Sequence, residues 1–166
     1  HEVAQAYASH LAEHSPTAAL RLGLQQAHEV LCERASEDAD LQTMGTTVVA
    51  AALHQDALYI ANIGDSRAYL LRAGKLEQIT TDHSQVMAMV AAGAITEEEA
   101  AEHEDRSVLT RSISASRDSV EPDMFQLAFG DGDALLLCTD GLWSHVSHGQ
   151  IESTVSRLPP ERAVDA

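Results

Sequence analysis

The sequence predicts an α+β fold with antiparallel strands, and three features of its 166 residues carry that expectation. Residues 2–35 place apolar side chains at helical spacing, and at Gly45 the pattern changes to β-branched and apolar runs. Four such runs follow one another between residues 46 and 80, joined by links of only a few residues. A parallel crossover needs a dozen or more residues, so strands joined this tightly run antiparallel. The length makes one domain over residues 1–166 the simplest organisation, with enough chain to bury a sizeable core.

Each element has a local cause. Residues 2–14 are rich in Ala, with Val3, Ala6, Tyr7 and Leu11 on one helical face. Ser15 is a natural N-cap and Pro16 suits the first position of a second helix, which runs to about Ala35. Its apolar stripe is Leu20, Leu24, Ala27, Val30 and Leu31. Ser36 to Thr43 carries Glu37, Asp38 and Asp40 without periodicity and reads as a mobile loop. Strands follow over 46–53 and 58–63, and 68–71 is the hairpin partner of 58–63 across a tight Gly64-Asp65-Ser66-Arg67 turn. A further turn at 72–75 leads to a strand over 76–80, which completes a four-stranded meander.

Thr81-Asp82-His83-Ser84 caps a helix over 85–92, and Gly93 ends it. Thr96 and Glu99 form a capping box for another short helix. Residues 103–120 are polar and irregular around Val108-Leu109, as expected of a surface subdomain or flap. Strands over 125–129 and 133–138 are joined by Gly130-Asp131-Gly132, with Leu135, Leu136 and Leu137 sandwiched between a sheet partner and a helix. Helical patterns return over 150–157 and after Pro159.

Composition narrows the function classes. With 26 acids against 10 bases the formal net charge is −16, which repels phosphate and disfavours nucleic acid and anionic membrane as partners. Hydrophobic residues make up 45% but aromatics only 4%, so Leu, Val, Ile and Ala build the core. Cys32 and Cys138 lie in apolar patterns and read as buried free thiols, as in a reducing cytoplasm. There is no C-x-x-C or H-E-x-x-H spacing, so zinc is not expected, and His10 and His14 read as an incidental exposed pair. No apolar run approaches the ~20 residues that span a bilayer, and the chain opens directly on a helical pattern; the expected location is cytoplasmic.

The chemistry centres on two carboxylates. The run over 58–63 leads into Asp65, and the run over 134–138 leads into Asp140. Two core strands that each deliver an Asp to a sheet edge can converge on one hard cation. A turn acid that bonds its own backbone is the other reading of Asp65.

Six blocks then share an order: Gly45-Thr46-Thr47, Ala61 through Tyr69, Leu76 through Ser84, Gly93 through Thr96, Val108 through Arg111, and Gly132 through Trp143. In order, spacing and turn chemistry they resemble the metal-dependent protein phosphatases of type 2C (PPM). The resemblance implies an α-β-β-α sandwich, two antiparallel sheets face to face with helices on the outer faces. It implies hydrolysis of phosphoserine and phosphothreonine in protein substrates by a water held between Mg²⁺ or Mn²⁺ ions, two or three in the complete site. It makes Asp140 a ligand of the binuclear centre, and Asp65 with Asp140 the pair that holds a third, weaker ion in bacterial members. Arg67 is expected to support the turn or neighbouring acids, His83 to be a helix-capping neighbour, and no side chain is assigned a catalytic role.

The family's opening Arg- and acid-bearing strand, its Asp-Gly-x-Gly-Gly motif and its closing Gly-x-Asp-Asn motif have no counterpart in this sequence. A phosphatase-like domain over 1–166, truncated at both ends and inactive as an isolated chain, is therefore expected. The alternative is a catalytically dead module that keeps the scaffold for binding or regulation. The phosphoprotein substrate and oligomeric state are left open.

Overall fold

A computed structural model describes residues 2–166. Helices α1 (Glu2–His10) and α2 (Pro16–Glu37) lead into β1 (Gly45–Thr46), β2 (Val48–His54), β3 (Ala57–Ile63), β4 (Arg67–Arg72) and β5 (Lys75–Gln78). Then come α3 (Gln85–Ala91), α4 (Glu97–Glu102), β6 (Ile113–Ser114), β7 (Asp123–Ala128) and β8 (Ala134–Cys138). The last described helices are α5 (Asp140–Trp143), α6 (His148–Arg157) and α7 (Pro160–Ala163). Cap chemistry sets several of these boundaries. Ser15 caps α2 with Pro16 behind it, Ser84 accepts from the Met87 N–H at the start of α3, and Thr96 with Glu99 closes a capping box on α4.

Two three-stranded antiparallel sheets face each other, in orders β2-β3-β7 and β5-β4-β8, and β1 pairs separately with β6. Three apolar clusters fill the gaps between layers. Leu20 and Leu24 of α2 pack on Ala61 and Ile63; Leu58, Ile60 and Ala68 meet between the sheets with Phe125 and Leu135; and Tyr69, Leu71 and Leu76 pack under Ile151 of α6. Alternate residues of β3 and β4 thus serve different cores, as the period of two requires. The result is the α-β-β-α sandwich.

The meander expectation is corrected at its centre. β3 pairs with β2 and β7, whereas β4 pairs with β5 and β8, so the two are not hairpin partners. Residues 64–66 carry the chain from one sheet to the other. Three linking residues extended at ~3.3 Å each span about the 10 Å between packed sheets. Both strands are apolar on both faces, which suits layers covered on two sides and would be wasted in a one-faced hairpin.

Four smaller expectations are also corrected. The stretch expected to be a mobile loop continues α2 to Glu37 and then forms a 3-10 turn over Ala39–Leu41, capped by Asp38. Within 103–120, Ile113 and Val120 are buried in the cluster under α2. His28 of α2 reaches the Ser114 and Arg117 carbonyls at 3.1 and 3.0 Å, which ties that segment inward. On β8, Leu135 and Leu136 face the two cores, but Leu137 is 39% exposed; this edge strand has a partner on one side only. Cys32 and Cys138 are free thiols, half-buried rather than buried.

Candidate metal centre

Asp65 and Asp140 stand at one end of the β4–β8 pair. In the antiparallel pairing of β4 with β8, Arg67 lies opposite Cys138. Asp65 and Asp140 each lie two residues beyond that last pair, at the same end of the two strands, where β8 gives way to α5. A second tie is direct: Trp143, on the single turn of α5 that Asp140 opens, donates its indole N–H to the Asp65 carbonyl at 3.0 Å. Burial is the main cause that lifts the Asp65 carboxyl above its ordinary range, and the negative charges of Asp140 and Asp82 lift it further. A hydrogen bond to its own backbone and the nearby Arg67 act the other way. Asp65 is therefore both a turn acid that bonds its own main chain and a member of a repelling carboxylate pair.

The support beneath Asp65 is built from paired groups. Arg67 forks onto Asp82, Nε to Oδ1 at 2.9 Å and Nη2 to Oδ2 at 2.7 Å, and donates to the Tyr69 hydroxyl at 3.1 Å. The Arg67 guanidinium also lies 3.6 Å from the centre of the Trp143 ring, a cation–π contact that orders both. Arg67 supports neighbouring groups, as expected, and its charge is spent on Asp82 rather than left free for Asp65.

Gly64 explains why the Gly45-Thr46-Thr47 block accompanies the Asp65 turn. Its φ is +103°, and a Cβ there would fall 2.6 Å from Thr47 Cβ and closer still to Cγ2. Only glycine meets both demands. Thr47 Oγ1 then bonds Ser66 Oγ at 2.8 Å, and the buried Asn62 amide donates to the Gly64 and Thr81 carbonyls at 3.3 Å each. His83, expected only as a neighbour of the α3 cap, accepts the Gly64 N–H on Nδ1 at 3.1 Å.

Two carboxylates with a shortage of positive charge suit a hard divalent cation. Among the described residues no group of three or more His, Cys, Asp or Glu side chains is placed to hold a metal. The donor set therefore fits an ion that keeps water or substrate oxygens, as Mg²⁺ does with one or two carboxylates, rather than an all-protein cage. A concavity of about 690 Å³ lies elsewhere, between Arg72, Phe129 and Asp133.

Comparison with known proteins matches residues 1–87 to the family Protein phosphatase 2C. The chain belongs to this family. It is 40% identical over 133 residues to the serine/threonine phosphatase stp of Listeria monocytogenes, covering 80% of this chain and 52% of that protein. It superposes on Stp1 of Staphylococcus aureus with a TM-score of 0.85 at 32% identity, covering 99% of this chain and 67% of that one. The catalytic domain of PstP, solved in complex with 2 manganese ions, gives a TM-score of 0.75 at 31% identity over 98% of this chain and 72% of its own. The chain spans about half the length of the Listeria relatives it matches.

The sequence points to Asp65 and Asp140 as candidate ligands and to Arg67 as support, but not to Trp143, Asp82 and His83 as parts of that support. The indole of Trp143 bonds a main-chain atom 78 positions away, and no local pattern announces that. One signal was available: the only Trp of the chain stands three residues after Asp140.

Proposed function

We propose that residues 1–166 are part of a metal-dependent serine/threonine protein phosphatase domain, and that Asp65 and Asp140 together ligate Mg²⁺ or Mn²⁺. The observation that supports this reading is that the β4–β8 pairing ends two residues short of both carboxylates, with the Asp140 charge acting on Asp65. In the complete site the ions, with Asp140 among their ligands, would supply an activated water for attack at phosphorus and positive charge for the phosphoryl oxygens, and the Asp65–Asp140 pair would hold the weaker third ion. The chain's own residues hold the donors: Trp143 fixes the Asp65 carbonyl, and Arg67 with Asp82 forms a neutral base beneath it. The substrate class is phosphoserine and phosphothreonine proteins, in keeping with a signalling role.

A net charge of −16 supports the exclusion of nucleic acid and anionic membrane as partners. No helix among the described residues is long and apolar enough to cross a membrane. Two free half-buried thiols support a cytoplasmic setting. The small number of converging donors favours a second reading, a phosphatase-like module that binds partners without hydrolysis.

A melt of the 166-residue chain in EDTA and in millimolar Mn²⁺ tests the metal pair. Preferential binding to the folded state near 1 kcal/mol raises Tm by about 2–4 °C in a domain of this size. Asp65→Asn and Asp140→Asn are each expected to abolish the rise. The isolated chain is expected to hydrolyse p-nitrophenyl phosphate at no appreciable rate. A wild-type melt indifferent to Mn²⁺ overturns the metal pair, and a metal-dependent rate that survives Asp140→Ala overturns its assigned role.

A further inference from the structure

We propose that His83 is the positioning residue of Asp65, and that it couples the placement of segment 108–111 to that carboxylate. The proposal rests on the metal reading of Asp65 only for its functional consequence; the clamp itself stands on hydrogen bonds.

His83 is buried, with its side chain 5% exposed. Four polar groups of this one residue are engaged by three different segments. Its N–H donates to the Gly64 carbonyl at 2.9 Å, and its carbonyl accepts the Thr110 N–H at 2.8 Å. Nδ1 accepts the Gly64 N–H at 3.1 Å, and Nε2 lies 3.1 Å from Asp123 Oδ2. An amide nitrogen can only donate, so Nδ1 is bare and the imidazole proton sits on Nε2, aimed at the carboxylate. The Gly64 N–H sets this tautomer, and Arg111 Nη1, 3.4 Å from Nε2, is then a close neighbour of that nitrogen and not a donor to it.

Asp123 is shared. Its other oxygen accepts from Arg111 Nη1 at 2.7 Å, and Arg111 follows directly on the segment that pairs with residues 83–85. Gln85 donates to the Val108 carbonyl at 2.8 Å and Thr110 donates to His83, so 108–111 is docked on the His83 strip by main chain at two points and by Arg111 at a third. Arg111 itself is 47% exposed and within reach of an approaching anion.

Gly64 is thus held at both its N–H and its C=O by one histidine, and at its α-carbon by Thr47. The next residue is Asp65, whose carbonyl is pinned from the other side by Trp143. A leucine could fill the volume of the imidazole. What it could not supply is an acceptor for the Gly64 N–H, although its own main-chain N–H would still reach the Gly64 carbonyl. A shift of 108–111 moves the Thr110 N–H and the Arg111 guanidinium that holds Asp123, and all three of these groups contact His83.

Four variants of the 166-residue chain test this: His83→Leu, His83→Asn, Arg111→Gln and Asp123→Asn. Nitrogen-15 NMR of the wild-type imidazole is expected to report a protonated Nε2 and a bare Nδ1. Amide exchange at Gly64 is expected to speed up at least tenfold in His83→Leu relative to core amides of β4. His83→Asn, whose Oδ1 can take the place of Nδ1, is expected to recover most of that protection although it cannot reach Asp123. Arg111→Gln and Asp123→Asn are expected to raise exchange at Gly64 two- to threefold. Mn²⁺ affinity, measured by calorimetry, is expected to fall tenfold in His83→Leu and to return within threefold of wild type in His83→Asn.

Should His83→Leu fail to fold, the exposed Arg111→Gln variant carries the same comparison. The opposite tautomer, or Gly64 exchange unchanged in both His83→Leu and Arg111→Gln, overturns the clamp. Equal metal affinity in His83→Leu and wild type overturns the coupling to Asp65. A wild-type chain with the expected tautomer and exchange pattern but no Mn²⁺ binding overturns the metal reading and the coupling with it, leaving the clamp intact.

Discussion

The two ends of the sandwich treat their charges in opposite ways. At the hairpin end, Arg72 forks onto Asp133 at 2.6 and 3.0 Å and also donates to the Ala128 carbonyl at 2.7 Å. That bond, with a further one from the Gly130 N–H, holds the Asp133 carboxyl down to about 2. At the Asp65 end, the only nearby guanidinium is committed to Asp82, and Asp65 faces a second carboxylate. One end is electrostatically finished by its own residues. The other keeps negative charge that its own residues leave unbalanced, and under the proposed metal reading a cation would offset it, which makes the concavity at the hairpin end the weaker candidate for chemistry.

Backbone packing repeats the contrast and gives the largest expected effect. Gly64 and Gly132 both have positive φ, +103° and +87°, but a Cβ on Gly132 would meet nothing within 4 Å while one on Gly64 would strike Thr47. Gly64→Ala combines left-handed strain with overpacking and is expected to cost roughly 2–5 kcal/mol. Gly132→Ala carries the strain alone, about 1–2 kcal/mol. Urea melts of both variants check this. Equal losses would mean that the Thr47 contact relaxes away and that the site end is no tighter than the other.

β8 offers a comparison within one strand. Leu135 packs between the sheets, and truncation to Ala is expected to cost about 2 kcal/mol, the low end for buried leucine because it is only partly enclosed. Leu137, on the same face two residues nearer Asp140, is 39% exposed and is expected to lose less than about 1 kcal/mol. Thermal melts that rank the two the other way would place Leu137 in a core.

These differences mark what could be read from the sequence. Ser15, Thr96 and the strand runs announce themselves because caps and the period of two act within a few residues. The partition into two sheets was not legible as drawn, because a short link looks the same whether it stays in a sheet or crosses between sheets. The available clue was that 58–63 and 68–71 are apolar on both faces. Asp65 and Asp140 were legible as acids after core strands; their placement at one end needed the β4–β8 register, which rests on side-chain packing across 71 positions. His83, Trp143 and His28 bond main-chain atoms far along the chain, so their roles belong to the folded state alone.

The smallest expected effect is also the one that separates the two ends by sign. Asp65 has its carboxyl raised in the fold, mainly by burial and then by Asp140, so the native state binds its proton more tightly than the unfolded chain does. That contribution is fully present below the ordinary carboxylate value and is lost as pH rises through the raised one. Asp133 is the reverse: its stabilisation is present above the ordinary value and is lost as pH falls toward about 2. In EDTA at about pH 7, Asp65→Asn is therefore expected to stabilise the chain slightly and Asp133→Asn to destabilise it, with both effects shrinking toward about pH 3. Urea melts at several pH values, with and without Mn²⁺, measure the pair. Added Mn²⁺ should reverse the order for Asp65, since the wild type then gains a ligand that the Asn variant cannot hold, and should leave the Asp133 difference untouched. If Asp65→Asn destabilises in EDTA at neutral pH, Asp65 is a satisfied turn acid like its counterpart at the other end, and the contrast between the ends disappears.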